Sequence, residues 1–256
     1  MSKTPLFFFG HGNPMNALGG PYADAWTALG REIEKPKAVL MVSAHWYVPE
    51  TAITAMDAPE TIHDFGGFPQ PLFDIRYPAP GAPWLAERVA ELLAPMPIRK
   101  AQDWGLDHGA WSVLMHVWPQ ADVPIVQLSI DRTKPAQFHY DLGAKLAPLR
   151  DEGVLIAASG DIVHNLRAAV WQGGGAAHDW AERFNDQVKQ ALTTGDDQTL
   201  IEYAALGEDA TRSIPTPEHY LPLLYILGAR DKSERPRFFT DAIDMASISM
   251  LGVRYG

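Results

Sequence analysis

At 256 residues the chain is long enough for one large domain that buries roughly 75% of its unfolded surface and needs no covalent staples. Its 21 basic and 31 acidic residues give a formal charge of −10, which argues against a nucleic-acid partner. With no cysteine, disulfides, thiolate nucleophiles, thiolate-bound metals and iron–sulfur clusters are excluded, so any metal must use nitrogen or oxygen ligands, and a reducing cytoplasm is the expected compartment.

The N-terminal segment MSKTPLFFFGHGNPM has a single lysine and a four-residue apolar run before Gly10, so neither a signal core nor a membrane span is expected there. The run Leu6–Phe9 predicts a first buried strand, followed at once by His11. Tyr22–Glu34 has apolar residues at helical spacing. Ala38–Ala44 reads as a second strand, followed by His45.

From Asp57 to Gly81 the chain is rich in proline, glycine and aromatic residues and has no periodicity. Long loops of this kind are uncommon unless functional, so it is read either as a lid or pocket wall that includes His63, or as a surface loop packed on its own aromatics. Ala82–Leu93 is again helical. Gly105 and Gly109 flank His108 and allow its backbone to approach another element closely, while Asp107 either caps the following helix or takes part in chemistry.

Pro124–Ile130 predicts a strand followed by Asp131, and Ala136–Leu149 a helix. Val154–Ala158 predicts a strand that runs into Gly160, Asp161 and His164. Gly173–Gly175 is either a flexible point or an ordinary turn, and Ala177–Leu192 is helical. In Ser213-Ile-Pro-Thr-Pro-Glu-His-Tyr, Thr216 resembles an N-cap and Pro217 a first helical residue. That arrangement aims Glu218 or His219 outward from a helix start, although a carboxylate in a first turn is also ordinary dipole compensation.

Strands alternating with helices imply a single α/β domain over residues 1–256, with a mostly parallel central sheet flanked by helices. Three histidines, His11, His45 and His164, follow predicted strands, and the crevice beyond the carboxyl ends of parallel strands is where ligands bind in open sheets. Neutral imidazoles suit zinc or iron(II), and others nearby could move protons near neutral pH. His116, His139 and His178 fall in helical patterns and are read as packed or solvated. HExxH, GxGxxG after the first strand, GxxxxGK[ST] and GxSxG are all absent, which removes the local zincin, nucleotide-binding and serine-hydrolase signatures.

GHGNPM, SAHW, HDFGGFP with RYPAPG, DHGAW, SGDIVHNL and PTPEHYLPL occur in order across about 210 of the 256 residues. Together they resemble the DODA-type extradiol aromatic ring-opening dioxygenases, class III LigB-like enzymes related to 4,5-DOPA dioxygenase. The resemblance implies a non-haem iron(II) enzyme that opens a catechol, such as DOPA, beside its hydroxyls with O₂. It implies His11, His45 and His219 as metal ligands, His164 as acid/base and His108 as a second histidine near the substrate. Glu218 and His219 are adjacent and only one should reach the ion; His219 is the expected ligand. An all-histidine set could equally hold zinc in the same site.

On that reading one histidine, His164, takes a catechol proton and later returns one, while His108 hydrogen-bonds a substrate hydroxyl or bound oxygen. Trp46, Phe65, Phe68, Phe73 and Tyr77 either wall a pocket for a flat aromatic or form a local hydrophobic cluster. The expected partners are a small aromatic diol and O₂, with no nucleic acid and no membrane, and the sequence sets no oligomeric state. Two competing readings are a zinc-dependent hydrolase of a small amide or ester, in which His164 or Glu218 activates water, and a metal-stabilised protein that only sequesters an aromatic.

Overall fold

Runs of branched and aromatic residues become the centre of one large sheet in the computed structural model, which describes residues 3–171 and 175–256. Gly173 and Gly174 of the glycine tract lie outside the described residues. The strands in chain order are β1 (Leu6–Gly10), β2 (Ala38–Val48), β3 (Ala52–Thr54), β4 (Arg99–Ala101), β5 (Ile125–Asp131), β6 (Val154–Gly160), β7 (Arg237–Thr240), β8 (Ile243–Asp244), β9 (Ile248–Ser249) and β10 (Gly252–Tyr255). The helices are α1 (Pro21–Glu32), α2 (Gln70–Asp74), α3 (Pro83–Leu93), α4 (His108–Val117), α5 (Ala136–Leu146), α6 (Asp179–Thr194), α7 (Asp197–Ile201), α8 (Glu208–Ser213) and α9 (Leu221–Ala229).

The eight-stranded sheet has the order β4-β3-β5-β2-β6-β1-β10-β7. β5, β2, β6 and β1 are mutually parallel, and antiparallel pairings join β3 to β5, β10 to β1 and β7 to β10. The central strands are covered on both faces, which explains their unbroken apolar runs. Along β1, Leu6 and Phe8 join one apolar layer with α3, α5, α6 and α9, while Phe7 and Phe9 join the other with α1 and α4. α9 is apolar all round because eight of its nine residues, all but Gly228, are buried. Truncating a central residue such as Leu224, fully buried in that helix, would cost about 2–5 kcal/mol.

The structure differs from the sequence reading at several boundaries. β2 continues to Val48, so His45 lies inside the strand rather than past it, where the register with β5 shifts between Val42 and Tyr47. The helix expected over Ala136–Leu149 ends as α5 at Leu146 and tightens into a 3₁₀ turn, Ala147–Arg150. The long loop holds the short helix α2 and pairs with the chain before α4 through a bridge between Thr61 and Leu106. Thr216 makes no side-chain cap; Pro217–His219 is a 3₁₀ turn, and α9 begins only at Leu221.

Candidate active site

β1 ends at Gly10 and β6 at Gly160, so His11 and Asp161 emerge side by side, with the His11 amide donating to the Gly160 carbonyl at 3.2 Å. The irregular stretch of β2 carries His45 alongside them. His219 arrives from the opposite direction on its 3₁₀ turn, and its carbonyl accepts the Asp161 amide at 2.9 Å. This approach requires glycine at 160, because a Cβ there would stand 2.1 Å from the His219 carbonyl oxygen. Gly109 plays the same part for α4, since a Cβ would meet Ser43 Oγ at 2.5 Å and His45 Cδ2 at 2.9 Å.

Asp107 is the N-cap of α4 and accepts from the Ala110 amide; Ser43 and Gln127 donate to its two oxygens at 2.6 and 2.7 Å. Burial, with Asp64 nearby, raises its carboxyl to about 6 against those two hydrogen bonds. Asp107 is therefore an anchor for the first turn that carries His108.

One nitrogen each from His11, His45 and His219 lies within 4.8 Å of the other two, and the Nε2 atoms of His11 and His45 are 3.1 Å apart. Each of the three rings is braced at Nδ1. Ser159 Oγ is 2.8 Å from Nδ1 of His11, Asp64 Oδ2 is 3.2 Å from that of His45, and Glu218 Oε1 is 3.2 Å from that of His219. Facing carboxylates fix the proton of His45 and of His219 on Nδ1 and leave Nε2 as a lone-pair nitrogen, the arrangement by which outer carboxylates orient metal-bound histidines. Glu218 thus backs His219 and stands outside the inner trio.

Burial comes first in lowering the pKa of all three imidazoles well below 6.5, followed by the neighbouring histidines, so the rings are neutral. One further observation fits a cation. Asp161 Oδ2 is buried without a hydrogen-bond partner, 3.8 Å from His11 Nε2; with no ion beside it, burial raises its carboxyl well above the usual range. Three converging neutral nitrogens beside an orphaned carboxylate suit zinc or iron(II).

His164 stacks on His219, with ring centroids 3.5 Å apart and planes at 8°. Burial and then His108 lower its pKa to about 4, below the near-neutral value expected of a proton shuttle from sequence. His108 packs on His45 with ring centroids 3.8 Å apart, and its Nδ1 is 2.9 Å from Asp64 Oδ1. Asp64 therefore spans both rings. Burial opposes its charge, yet His108 and His45 draw its carboxyl down to about 2.

These five histidines line a cavity of about 200 Å³, whose lining also includes Phe65 and Phe68 from the long loop. Other aromatics expected there lie elsewhere. Trp46 is buried against Trp104, centroids 5.7 Å apart, in a small cluster with Ala52 and Ala101. Tyr77 is buried in the core, where its hydroxyl lies 3.1 and 3.0 Å from the Leu114 and Trp118 carbonyls at the end of α4. His63 contacts the Ile75 carbonyl at 3.1 Å and, with Phe73, supports Phe65 from behind.

Asp131 caps a turn by accepting from Thr133. His139 pairs with Tyr225, His178 with the Ala168 carbonyl, and His116 packs near Trp26, all apart from the cavity. Sequence reasoning missed Asp64, which stands beside His63 in HDFGGFP, and also Leu166, Trp171, Met245 and Ile248, which line the cavity together with Gly12, Asn13 and Pro14 and carry no local signal.

Residues 6–254 match the family described as the catalytic LigB subunit of aromatic ring-opening dioxygenase. The chain is 50% identical to 4,5-DOPA dioxygenase extradiol of Escherichia coli (strain K12), over 100% of this chain and 96% of that protein. It is 36% identical to 4,5-DOPA dioxygenase extradiol of Beta vulgaris, over 93% of this chain and 91% of that one. The crystal structure of the uncharacterized protein JW3007 from Escherichia coli K12 superposes with a TM-score of 0.87 at 46% identity, covering 99% of this chain and 100% of the other.

Proposed function

The chain belongs to the family of the catalytic LigB subunit of aromatic ring-opening dioxygenase and is an extradiol dioxygenase, an oxidoreductase that incorporates O₂; on that premise we propose that it opens a small catechol beside its two hydroxyls, using a divalent metal held by His11, His45 and His219. The observation that carries this reading is the convergence of three imidazoles, each braced at Nδ1, on one edge of a cavity the size of a single ring. Iron(II) is the metal expected for activity, and the same nitrogens accept zinc. When bound, the metal supplies a common attachment point that brings the diol and O₂ together.

The protein's own residues handle the protons. Neutral at pH 7, His164 accepts a proton from a substrate hydroxyl acidified by the bound metal and returns one when the ring opens. His108, with Nδ1 turned to Asp64, has Nε2 left for the second hydroxyl. Phe65 and Phe68 press on the flat ring and keep water from it.

A family of ring-opening dioxygenases leaves the amide or ester hydrolase reading without support. Among the described residues no helix is long and apolar enough to cross a membrane, and a cysteine-free chain that works on iron(II) suits the cytoplasm. The test is anaerobic reconstitution with Fe(II), addition of a catechol panel that includes DOPA, then air, with O₂ uptake and the yellow ring-opened product followed against a zinc control. Stoichiometric O₂ uptake with product is expected. Absence of uptake with every catechol, at full iron occupancy, would overturn the reading.

A further inference from the structure

Resting on the catechol reading, we propose that Asn13 is a specificity-determining residue whose side-chain amide donates to an acceptor oxygen, such as that of a carboxylate, on the substituent of the catechol ring. Asn13 lies two residues beyond His11, and both line the cavity. Two residues of chain span at most about 7 Å, the scale of one substituted ring. At about 200 Å³ the cavity is below the roughly 300–1,000 Å³ of sites for drug-sized ligands, so a ring held at the histidines keeps its substituent within reach of the walls. The loop that joins the two residues is fixed. Gly12 has φ 59°, its amide donates to Asp161 Oδ1 at 3.0 Å, and a Cβ there would stand 2.3 Å from Met250 Sδ. Asn16 Nδ2 donates to the His11 carbonyl at 3.1 Å.

The orientation of the Asn13 amide follows from its partners. Its Oδ1 accepts the Met15 amide at 2.9 Å as the N-cap of the 3₁₀ turn Pro14–Leu18, and a backbone N–H there requires the oxygen end. Nδ2 is therefore the other end, and it faces Met245 Sδ at 3.5 Å. Met245 lines the cavity as well. A thioether is a weak acceptor and engages one of the two amide hydrogens, so a donor is left for a stronger acceptor. Among the described residues lining the cavity, the other polar side chains are the five imidazoles and the indole of Trp171, which is 59% exposed. The imidazoles are committed: three face the metal, and His164 and His108 meet the two hydroxyls. A substituent oxygen that enters the cavity sheds water, and a hydrogen bond from Asn13 offsets that loss, most strongly for a charged acceptor.

The acid 3,4-dihydroxyphenylacetate and 4-ethylcatechol have side chains of similar length and differ in the acceptor, so the ratio of their kcat/KM values on Fe(II)-loaded protein isolates it. Asn13→Ser keeps an N-cap and withdraws the amide; Asn13→Asp keeps the cap and puts a carboxylate oxygen where the N–H₂ stood. The ratio of acid to 4-ethylcatechol should fall about tenfold in Asn13→Ser, the size of a hydrogen bond to a charged group, and further in Asn13→Asp. Anaerobic calorimetry on zinc-loaded protein, which reads binding without turnover, should show the same order. Both probes are compared within each variant at matched metal content, so a general loss of activity cancels. A fall of less than about threefold in Asn13→Ser in either assay would overturn the proposal, whatever Asn13→Asp shows, because the charge of that variant repels the acid at a distance. A fall in binding with no ring opening of any catechol would uphold the subsite and remove the reaction instead.

Discussion

Two regions of the molecule bury histidines and depress them to the same degree, for different ends. His139, on α5, meets α9 through Tyr225, whose Oη is 2.9 Å from Nδ1, and burial lowers its pKa to about 4. His164 is lowered to about 4 by burial as well, with His108 adding to the effect. Only the second region adds three braced imidazoles, the carboxylates Asp64, Asp161 and Glu218, and a cavity. A buried, neutral histidine is therefore no mark of a site. Convergence of several nitrogens on reachable space, each ring fixed from behind, is what separates the two.

Substitutions can break this contrast, and the largest effect is expected at the inner trio. His11→Ala or His219→Ala should lose the metal and reduce O₂ uptake to background, as metal analysis after reconstitution would record. Full occupancy in either variant would remove that residue from the ligand set. His164→Ala should keep the metal while turnover falls by about 10²–10⁴, the range for a positioned acid/base. A smaller loss, about 10–100-fold in metal affinity or turnover, is expected for Asp64→Asn, since the amide presents an N–H₂ group to one of the two imidazoles it now orients. Wild-type metal affinity and turnover in Asp64→Asn would show that His45 and His108 hold their orientation without it.

The same contrast separates what was legible in the sequence from what was not. β1, β2, β5 and β6 were readable because both their faces are buried, which writes them as continuous apolar runs. β3, β4 and β7 through β10 were not, being at most four residues long, with edge strand β4 carrying Arg99 and Lys100. Histidines 11 and 164 could be placed because chain direction alone puts them beyond parallel strands. The path of His219 depends on Gly160 yielding space to a backbone about 60 residues away in sequence, a contact no local pattern encodes.

Aromatic identity was visible but its direction was not. Trp46 follows His45 in a strand, where successive side chains take opposite faces, so the residue beside a site histidine packs away from it on Trp104. Tyr77 is held in the core by two helix-end carbonyls that become its partners only once α4 has formed.

The mildest expected effect sharpens the comparison from the other side. An imidazole at 4 in the folded protein and near 6.5 in the unfolded chain binds its proton less readily when folded. Above pH 6.5 both states are neutral and His139 adds no pH dependence. As pH falls from about 6.5 toward 4 the unfolded chain takes up the proton first, so stability declines across that window and levels off below it. The difference of about 2.5 pH units corresponds to a loss of ~3 kcal/mol at the acid end. His139→Gln keeps a hydrogen-bonding group toward Tyr225 without the titration. In denaturant unfolding at matched metal content it should show a stability curve shallower than wild type by that amount between pH 6.5 and 4, with O₂ uptake at pH 7 unchanged. Parallel curves would mean that His139 is protonated within the fold, and a fall in uptake would tie the α5–α9 interior to the chemistry after all.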